Sequence, residues 1–577
     1  MSQVILSLEN LDIKFHSKHK ADFHAVKNLN LEIHQGETFA LVGESGSGKS
    51  VTSLAIMGLL PSNGRVTAGK VQFAGQDLLQ LAKTSWRKIR GHQIAMIFQE
   101  PMTSLNPLVP VGQQIMEPLR IHRQQNRQAA KAEALRLLDR VGLQAPEFFF
   151  KKYPHELSGG QQQRIMIAMA ISCQPKLLIA DEPTTALDVT IQKQVLELLQ
   201  ELQQEMNMAL LFITHDLGVV ADIADRIGVM RYGQLVECDL NRNIFAQPKH
   251  PYTQGLIACR PPLHTKPRRL ATVQDFTAAD GQAKRPDPQS FQGERRRAAT
   301  SGEQSIIALQ QVSKIYQRRS LIPGLSGPTQ TAVDQVSLNI PEGCNFGLVG
   351  ESGCGKTTIA RLMMRLLKPS SGQIYFRSQD ISQLDEQSMK PIRRRIQYIF
   401  QNPYAALNPR FRVEQILLEP MQIHQIGTSR AEQLDKIDDL LLKVGLDPAA
   451  RRKYPHEFSG GQRQRICIAR ALTVDPELVI CDESVAALDV SIQAQILNLL
   501  LDLQEQHPMT YIFISHDLSV VRFFCDRIAV MKDGAIVETQ DAEALFNNPQ
   551  HPFTQNLLGS IPRGIPKGLT HAVAEYY

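Results

Sequence analysis

The feature that most constrains this chain is that it repeats itself. YPHELSGGQQQR at 153–164 returns as YPHEFSGGQRQR at 454–465, and LLFITHDLGVV from 210 returns as YIFISHDLSVV from 511, each 301 positions later. HPYTQGLI at 250 and HPFTQNLL at 551 keep that offset, whereas the glycine-rich loops GESGSGKS from 43 and GESGCGKT from 350 stand 307 apart. The six-position difference puts the length variation in surface loops and leaves the motifs in register. Two copies of roughly 260 residues form a duplicated domain, not a solenoid, which needs three or more units to bury its core. A chain of 577 residues, 43% hydrophobic and 21% charged, has room for two such domains with a core each.

Composition removes several classes. No window reaches the 18 uninterrupted apolar residues of a membrane span, and MSQVILSLENLDIKF lacks the basic start and apolar core of a signal peptide. The expectation is a soluble chain that meets a membrane only through a partner. Eight cysteines form no CxxC pair and several lie in apolar runs, which suits a reducing compartment. A net charge of +6 does not call for a nucleic-acid partner, and none is expected. Between the copies, Pro-, Gln- and Arg-rich text without apolar periodicity reads as a flexible linker over 261–304. It separates a first domain at 1–260 from a second at 305–563, with a C-terminal extension at 564–577; Arg295–Arg297 reads as part of a solvated tether.

Each copy runs strand, glycine loop, helix, the order of an α/β fold. TFALVG (38–43) and NFGLVG (345–350) are buried-strand runs, each followed beyond the loop by helical spacing. In the loops, Gly43, Gly46 and Gly48, and likewise Gly350, Gly353 and Gly355, leave space for backbone N–H groups to curl around phosphate oxygens. Glu44, Ser45 and Ser47, or Glu351, Ser352 and Cys354, fill the turns between them. Lys49 and Lys356 would reach the β- and γ-phosphates, and the Ser50 and Thr357 hydroxyls would serve Mg2+. The helix N-terminus adds partial positive charge. LLIADE (177–182) and LVICDE (478–483) end buried strands in two acids. Asp181 or Asp482 would complete the Mg2+ surroundings, and Glu182 or Glu483 is placed as general base for water. Between Gln99 and the SGGQ run, AAKAEALRLLDRVGL puts Leu135, Leu138 and Val141 at helical spacing with Gly142 as a stop, the mark of a helical subdomain.

With LSGGQ at 157–161 and FSGGQ at 458–462 the chain resembles the ATP-binding cassette family. The resemblance implies two tandem P-loop NTPase domains, each with a RecA-like core and a helical subdomain, docked head to tail. Lys49 would then share one ATP with Ser459 and Gly461, and Lys356 a second with Ser158 and Gly160. Gln99 and Gln401 match the glutamine that contacts metal and water. His215 and His516 match the switch histidine, and Asp188 and Asp489 match the loop that crosses the interface. Phe15 and Tyr316 are candidates to stack on adenine or to belong to the core.

SLNP (104–107), ALNP (406–409) and the HP[YF]T tails resemble the peptide and nickel importer branch of that family. This implies an ATP- and Mg2+-dependent ATPase that drives uptake of glutathione or a di- or oligopeptide, with a nickel complex or a peptide antibiotic as alternative cargo. The implied partners are two inner-membrane permease subunits and, through them, a periplasmic substrate-binding protein. The implied place is the cytoplasmic face of the inner membrane. Some members of the branch hold an iron–sulfur cluster after this tail; Cys259 has no nearby cysteine, so no cluster is expected. A ribosome-associated tandem cassette is the other reading, but it would carry a long charged helical linker, and the prolines here oppose one. The second copy keeps Lys356, Ser459, Asp482, Glu483, Asp489 and His516 and has Ser484 where the first has Pro183, so both sites are expected to be catalytic.

Overall fold

The structure, a computed structural model, describes residues 3–16, 21–185, 187–263, 265–278, 282–284, 286, 287, 291, 304–317, 329–486, 488–562 and 564–566. The basic triplet at 295–297 and all but the first three residues of the expected C-terminal extension lie outside them.

In each half the mostly apolar, mostly buried strands assemble in parallel, because such strands need cover on both faces. The first half orders a six-stranded sheet as Gln234–Leu240, Arg226–Arg231, Thr38–Val42, Ala209–Thr214, Leu177–Asp181 and Ile94–Ile97, antiparallel only at the 234–240 edge. Thr38–Val42 is thus central, and the glycine loop leaves its C-terminal end, where open α/β sheets bind ligands. The second half repeats this order with Asn345–Gly350 between Thr510–Ile514 and Arg527–Lys532. A four-stranded antiparallel sheet flanks each core: Val4–Phe15 between Phe23–His34 and Gly64–Phe73, and Ser305–Gln317 between Thr329–Pro341 and Ser371–Phe376. Its alternating burial is that of a sheet with one face on the core.

The helical subdomain packs Val111–His122, Arg127–Arg140 and Gly159–Ile171 around Leu119, Ala134, Leu138, Val141 and Ile165. Arg127–Arg140 stops where its sequence asks: Gly142 takes φ +77° and donates its N–H to Asp139 O at 2.8 Å.

The expected flexible linker departs from that reading over its first part. Leu270, Ala271, Thr272, Val273 and Phe276 are buried, and Val273–Phe276 is a short helix whose entry is fixed by Thr272 donating to Asp275. Asn498 of the second half closes a two-way pair with this segment: its Oδ1 accepts the Leu270 N–H at 2.9 Å and its Nδ2 donates to Leu270 O at 2.8 Å. Lys266 Nζ donates to Cys525 O at 2.7 Å. The apolar patch LATVQDF, diluted in composition by its Pro and Arg neighbours, is enough to dock. One continuous core accordingly joins Val220, Tyr252 and Leu270 of the first half to Leu497, Leu501 and Phe524 of the second.

Candidate active site

Backbone sterics set each loop. Gly43 (φ +151°) lies where a Cβ would stand 2.2 Å from Met230 O, and Gly350 (φ +154°) meets Met531 O at the same distance. No other residue fits there. Lys49 is buried and its Nζ donates to Gly43 O at 2.7 Å and Glu44 O at 2.9 Å; Lys356 does the same to Gly350 O and Glu351 O, both at 2.8 Å. Burial pulls the Lys49 pKa down, with Asp489, Glu182, Asp181 and Glu44 opposing it. Asp489 belongs to the other half, so the first loop already feels its partner domain.

The adjacent strands deliver the two acids. Ser50 Oγ donates to Asp181 Oδ1 at 3.0 Å, and Thr357 Oγ1 to Asp482 Oδ1 at 3.2 Å. Burial raises both aspartates above their ordinary value, Asp181 up to about 6. Glu182 and Glu483 take left-handed φ values of +49° and +47°, and their N–H groups donate to Ile213 O and Ile514 O at 2.9 Å. A glutamate in that conformation is strained, and both sites repeat it. Gln99 Nε2 donates to Glu182 Oε2 at 2.8 Å, Gln401 Nε2 to Glu483 Oε2 at 2.6 Å. His215 Nδ1 stands 3.3 Å from Glu182 Oε1, and His516 Nδ1 3.6 Å from Glu483 Oε1. Burial alone would raise the Glu182 pKa, but the hydrogen bond and charge of His215 outweigh it and bring it to about 2; Glu483 is lowered in the same way by His516.

Two contributors were not visible as motifs. Thr185 Oγ1 donates to Glu182 Oε2 at 3.0 Å, and the matching residue of the second half is Ala486. Conversely, Tyr398 O–H donates to Asp482 Oδ2 at 2.5 Å, and the matching residue of the first half is Met96. Comparing the two copies residue by residue around each acid carries the first signal; the second depends on the register of Tyr398 beside Ile480.

The signature serines cap helices. Ser158 Oγ accepts the Gln161 N–H while Gln161 Oε1 accepts the Ser158 N–H, and Ser459 with Gln462 repeats the box. Gly160 and Gly461 lie in the first turns, close under Ile191 and Ile492. No hydrogen bond joins either serine to the loop of the other half among the described residues. Asp188 caps Val189–Met206 by accepting the Ile191 N–H at 3.0 Å; Asp489 makes no such cap. His215, Asp216 and Thr185 share one cavity with His516, Asp517 and Ala486, so the two histidines face a common space. Phe15 packs its half-buried ring against Gly64, and Tyr316 is 40% exposed with Lys314 Nζ 5.4 Å from its ring centre.

A buried lysine in a glycine loop, a strand-end acid pair and a histidine, twice over on parallel sheets, define an ATPase of the P-loop class. The family described as ABC transporter matches residues 26–185 and 333–486, and the C-terminal region of oligopeptide/dipeptide transporters matches 236–285 and 537–573. The chain belongs to the ABC transporter family, binds ATP and hydrolyses it. Among its relatives is the glutathione import ATP-binding protein GsiA of Salmonella choleraesuis, 46% identical over 98% of this chain and 90% of that protein. GsiA of Pectobacterium atrosepticum is 46% identical over 97% of this chain and 90% of that protein, and GsiA of Escherichia coli O157:H7 is 45% identical over the same shares. A solved ATP-binding cassette dimer in a post-hydrolysis state with ADP and Pi is 29% identical, covering 41% of this chain and 98% of that one, with a TM-score of 0.37. No helix among the described residues is long and apolar enough to cross a membrane.

Proposed function

We propose that this chain is the ATP-hydrolysing subunit of an inner-membrane importer for glutathione or a closely similar small peptide. The observation that carries the reading is the pair of C-terminal peptide-transporter regions, one behind each cassette, together with relatives over nearly the whole chain that are named for glutathione import. The proposed domains are cassettes at 1–260 and 305–563, with the first tail continuing onto the second cassette through residues 265–278.

Each ATP lies between the lysine loop of one cassette and the signature helix of the other: Lys49 with Ser459 and Gly461, Lys356 with Ser158 and Gly160. The oxygens of Ser50 and Asp181, and of Thr357 and Asp482, converge as hard donors suited to Mg2+, with Gln99 and Gln401 beside them. Mg2+ held there would supply positive charge that offsets the negative charge of the phosphates. Glu182 and Glu483, ionised at neutral pH, accept the proton of the attacking water. When His215 turns to a γ-phosphate, Glu182 loses the hydrogen bond and charge that lower its pKa and becomes a stronger base; His516 is proposed to play the same part beside Glu483. Phe15 and Tyr316 stack on the adenines.

Two permeases dock on the helical subdomains and pass on cargo from a periplasmic binding protein, which holds this chain to the cytoplasmic face of the inner membrane. A surface cleft lined by Pro107, Leu108, Phe148, Lys151 and Tyr153 supports this: Leu108 is 84% exposed and Phe148 59%, apolar area of the kind a partner covers. Uptake of radiolabelled glutathione and of a dipeptide, measured side by side in cells lacking this protein, tests the reading; glutathione uptake that persists unchanged overturns it.

A further inference from the structure

The first glycine loop is held by groups that none of its motifs supply. Tyr252, in the HPYT tail, is fully buried, and its hydroxyl oxygen accepts the Glu44 N–H at 3.1 Å. The ring is fixed on two sides: His250 accepts the Tyr252 N–H at 3.1 Å, and the Arg231 guanidinium lies 4.7 Å from the ring centre. Glu44 is the hub of the loop. Its carbonyl accepts Lys49 Nζ at 2.9 Å and the Ser47 N–H at 3.1 Å, and its carboxylate accepts the hydroxyl of Ser491, a buried residue of the second half.

The second half builds the same frame without the hydroxyl. His551 accepts the Phe553 N–H at 3.1 Å, and Lys532 Nζ lies 5.1 Å from the Phe553 ring centre, as Arg231 does over Tyr252. Phe553 offers nothing to the Glu351 N–H. Among the described residues no side chain takes the hydroxyl's place there, and Thr190, the counterpart of Ser491, makes no bond to Glu351. The first tail therefore reaches back to its own loop, while the second repeats the frame around its ring without the atom that would anchor it.

We infer that Tyr252 is a positioning residue for the ATP-binding loop of the first cassette, and that Phe553 leaves the loop of the second cassette less well ordered, making the two ATP sites unequal in affinity. The inference rests on the reading of 43–50 and 350–357 as the phosphate loops. Tyr252 touches no phosphate; it acts by holding Glu44, so that the loop's ordering cost is met before ATP arrives. A net hydrogen bond of about 1 kcal/mol corresponds to about a fivefold change in affinity.

The test is equilibrium titration of the full-length chain with a fluorescent ATP analogue and Mg2+, one site at a time. Lys356→Ala isolates the first site and Lys49→Ala the second. In the first background Tyr252→Phe is expected to weaken binding about fivefold; in the second it leaves binding unchanged, and Phe553→Tyr tightens it by a similar factor. First-site binding unaltered by Tyr252→Phe overturns the inference, as does equal weakening of both sites, which would mark a packing defect. A second site unaffected by Phe553→Tyr overturns the assignment of the difference to the hydroxyl. If Lys49→Ala itself leaves first-site binding intact, the phosphate-loop reading fails instead.

Discussion

Replacing Glu483 by Gln asks whether the second catalytic edge works and whether it works alone. The carboxylate lies between Gln401 Nε2 at 2.6 Å and His516 Nδ1 at 3.6 Å, so the amide fits the same space but loses the charge and one acceptor oxygen. A positioned general base contributes about 10²- to 10⁴-fold, or roughly 3 to 5 kcal/mol of barrier, and that is the loss expected at the altered site. The effect on total turnover depends on coupling. Independent sites would leave about half the rate, because the intact one continues. Here Asp489 of the second half acts on Lys49 of the first, Ser491 holds Glu44, and both histidines face one cavity, so a stalled second site keeps the first from reopening. Steady-state phosphate release by the full chain is therefore expected to fall at least about a hundredfold in Glu483→Gln, as in Glu182→Gln, with little further loss in the double variant. A fall of only half would refute coupling, and an unchanged rate would show the second edge to be idle.

Three further outcomes follow from single contacts. Thr185→Ala removes a donor to Glu182 at 3.0 Å that the second half lacks, and should lower turnover several-fold, about 1 kcal/mol, without altering ATP affinity; separate kcat and KM values check it. His215 is held above its ordinary pKa of 6.5: burial opposes the charge, but the Glu182 carboxylate outweighs it. Stability from that pair is complete below pH 6.5 and is lost as pH rises through the raised value, so His215→Gln should flatten the fall of Tm between pH 6 and pH 9 in thermal melts. Asn498→Ala strands the buried N–H and C=O of Leu270; a cost of about 1 to 3 kcal/mol should appear as a lower Tm and faster proteolysis after residue 260.

What the sequence made legible was whatever is local. A run such as LLIADE needs no neighbour to be read as a buried strand, and the glycines at 43 and 350 belong to motifs spelled out within eight residues, although the carbonyls that exclude a Cβ there are those of Met230 and Met531. The acids, glutamines and histidines could be enumerated because each follows a strand end. Contacts set by register or docking could not. Tyr398 reaches Asp482 only because two strands align, and Tyr252 reaches Glu44 across 208 positions. The linker reading missed the docked stretch around 270–276 for a different reason, since Thr272 and Asp275 spell a capping box that average composition concealed.

The two edges differ less in backbone than in where their donors lie. Glu182 and Glu483 share a left-handed φ to within a few degrees, although Pro183 follows one and Ser484 the other, so the proline is not what shapes the turn. The first half spends its extra hydroxyl on the base, through Thr185; the second spends it on the aspartate, through Tyr398. A donor on the glutamate fixes the carboxylate proposed to take the proton of water, whereas a donor on the aspartate fixes the carboxylate proposed to face Mg2+ without touching the glutamate. Duplication has thus kept the strand-end acids, glutamines and histidines alike and redistributed the hydroxyl donors that support them.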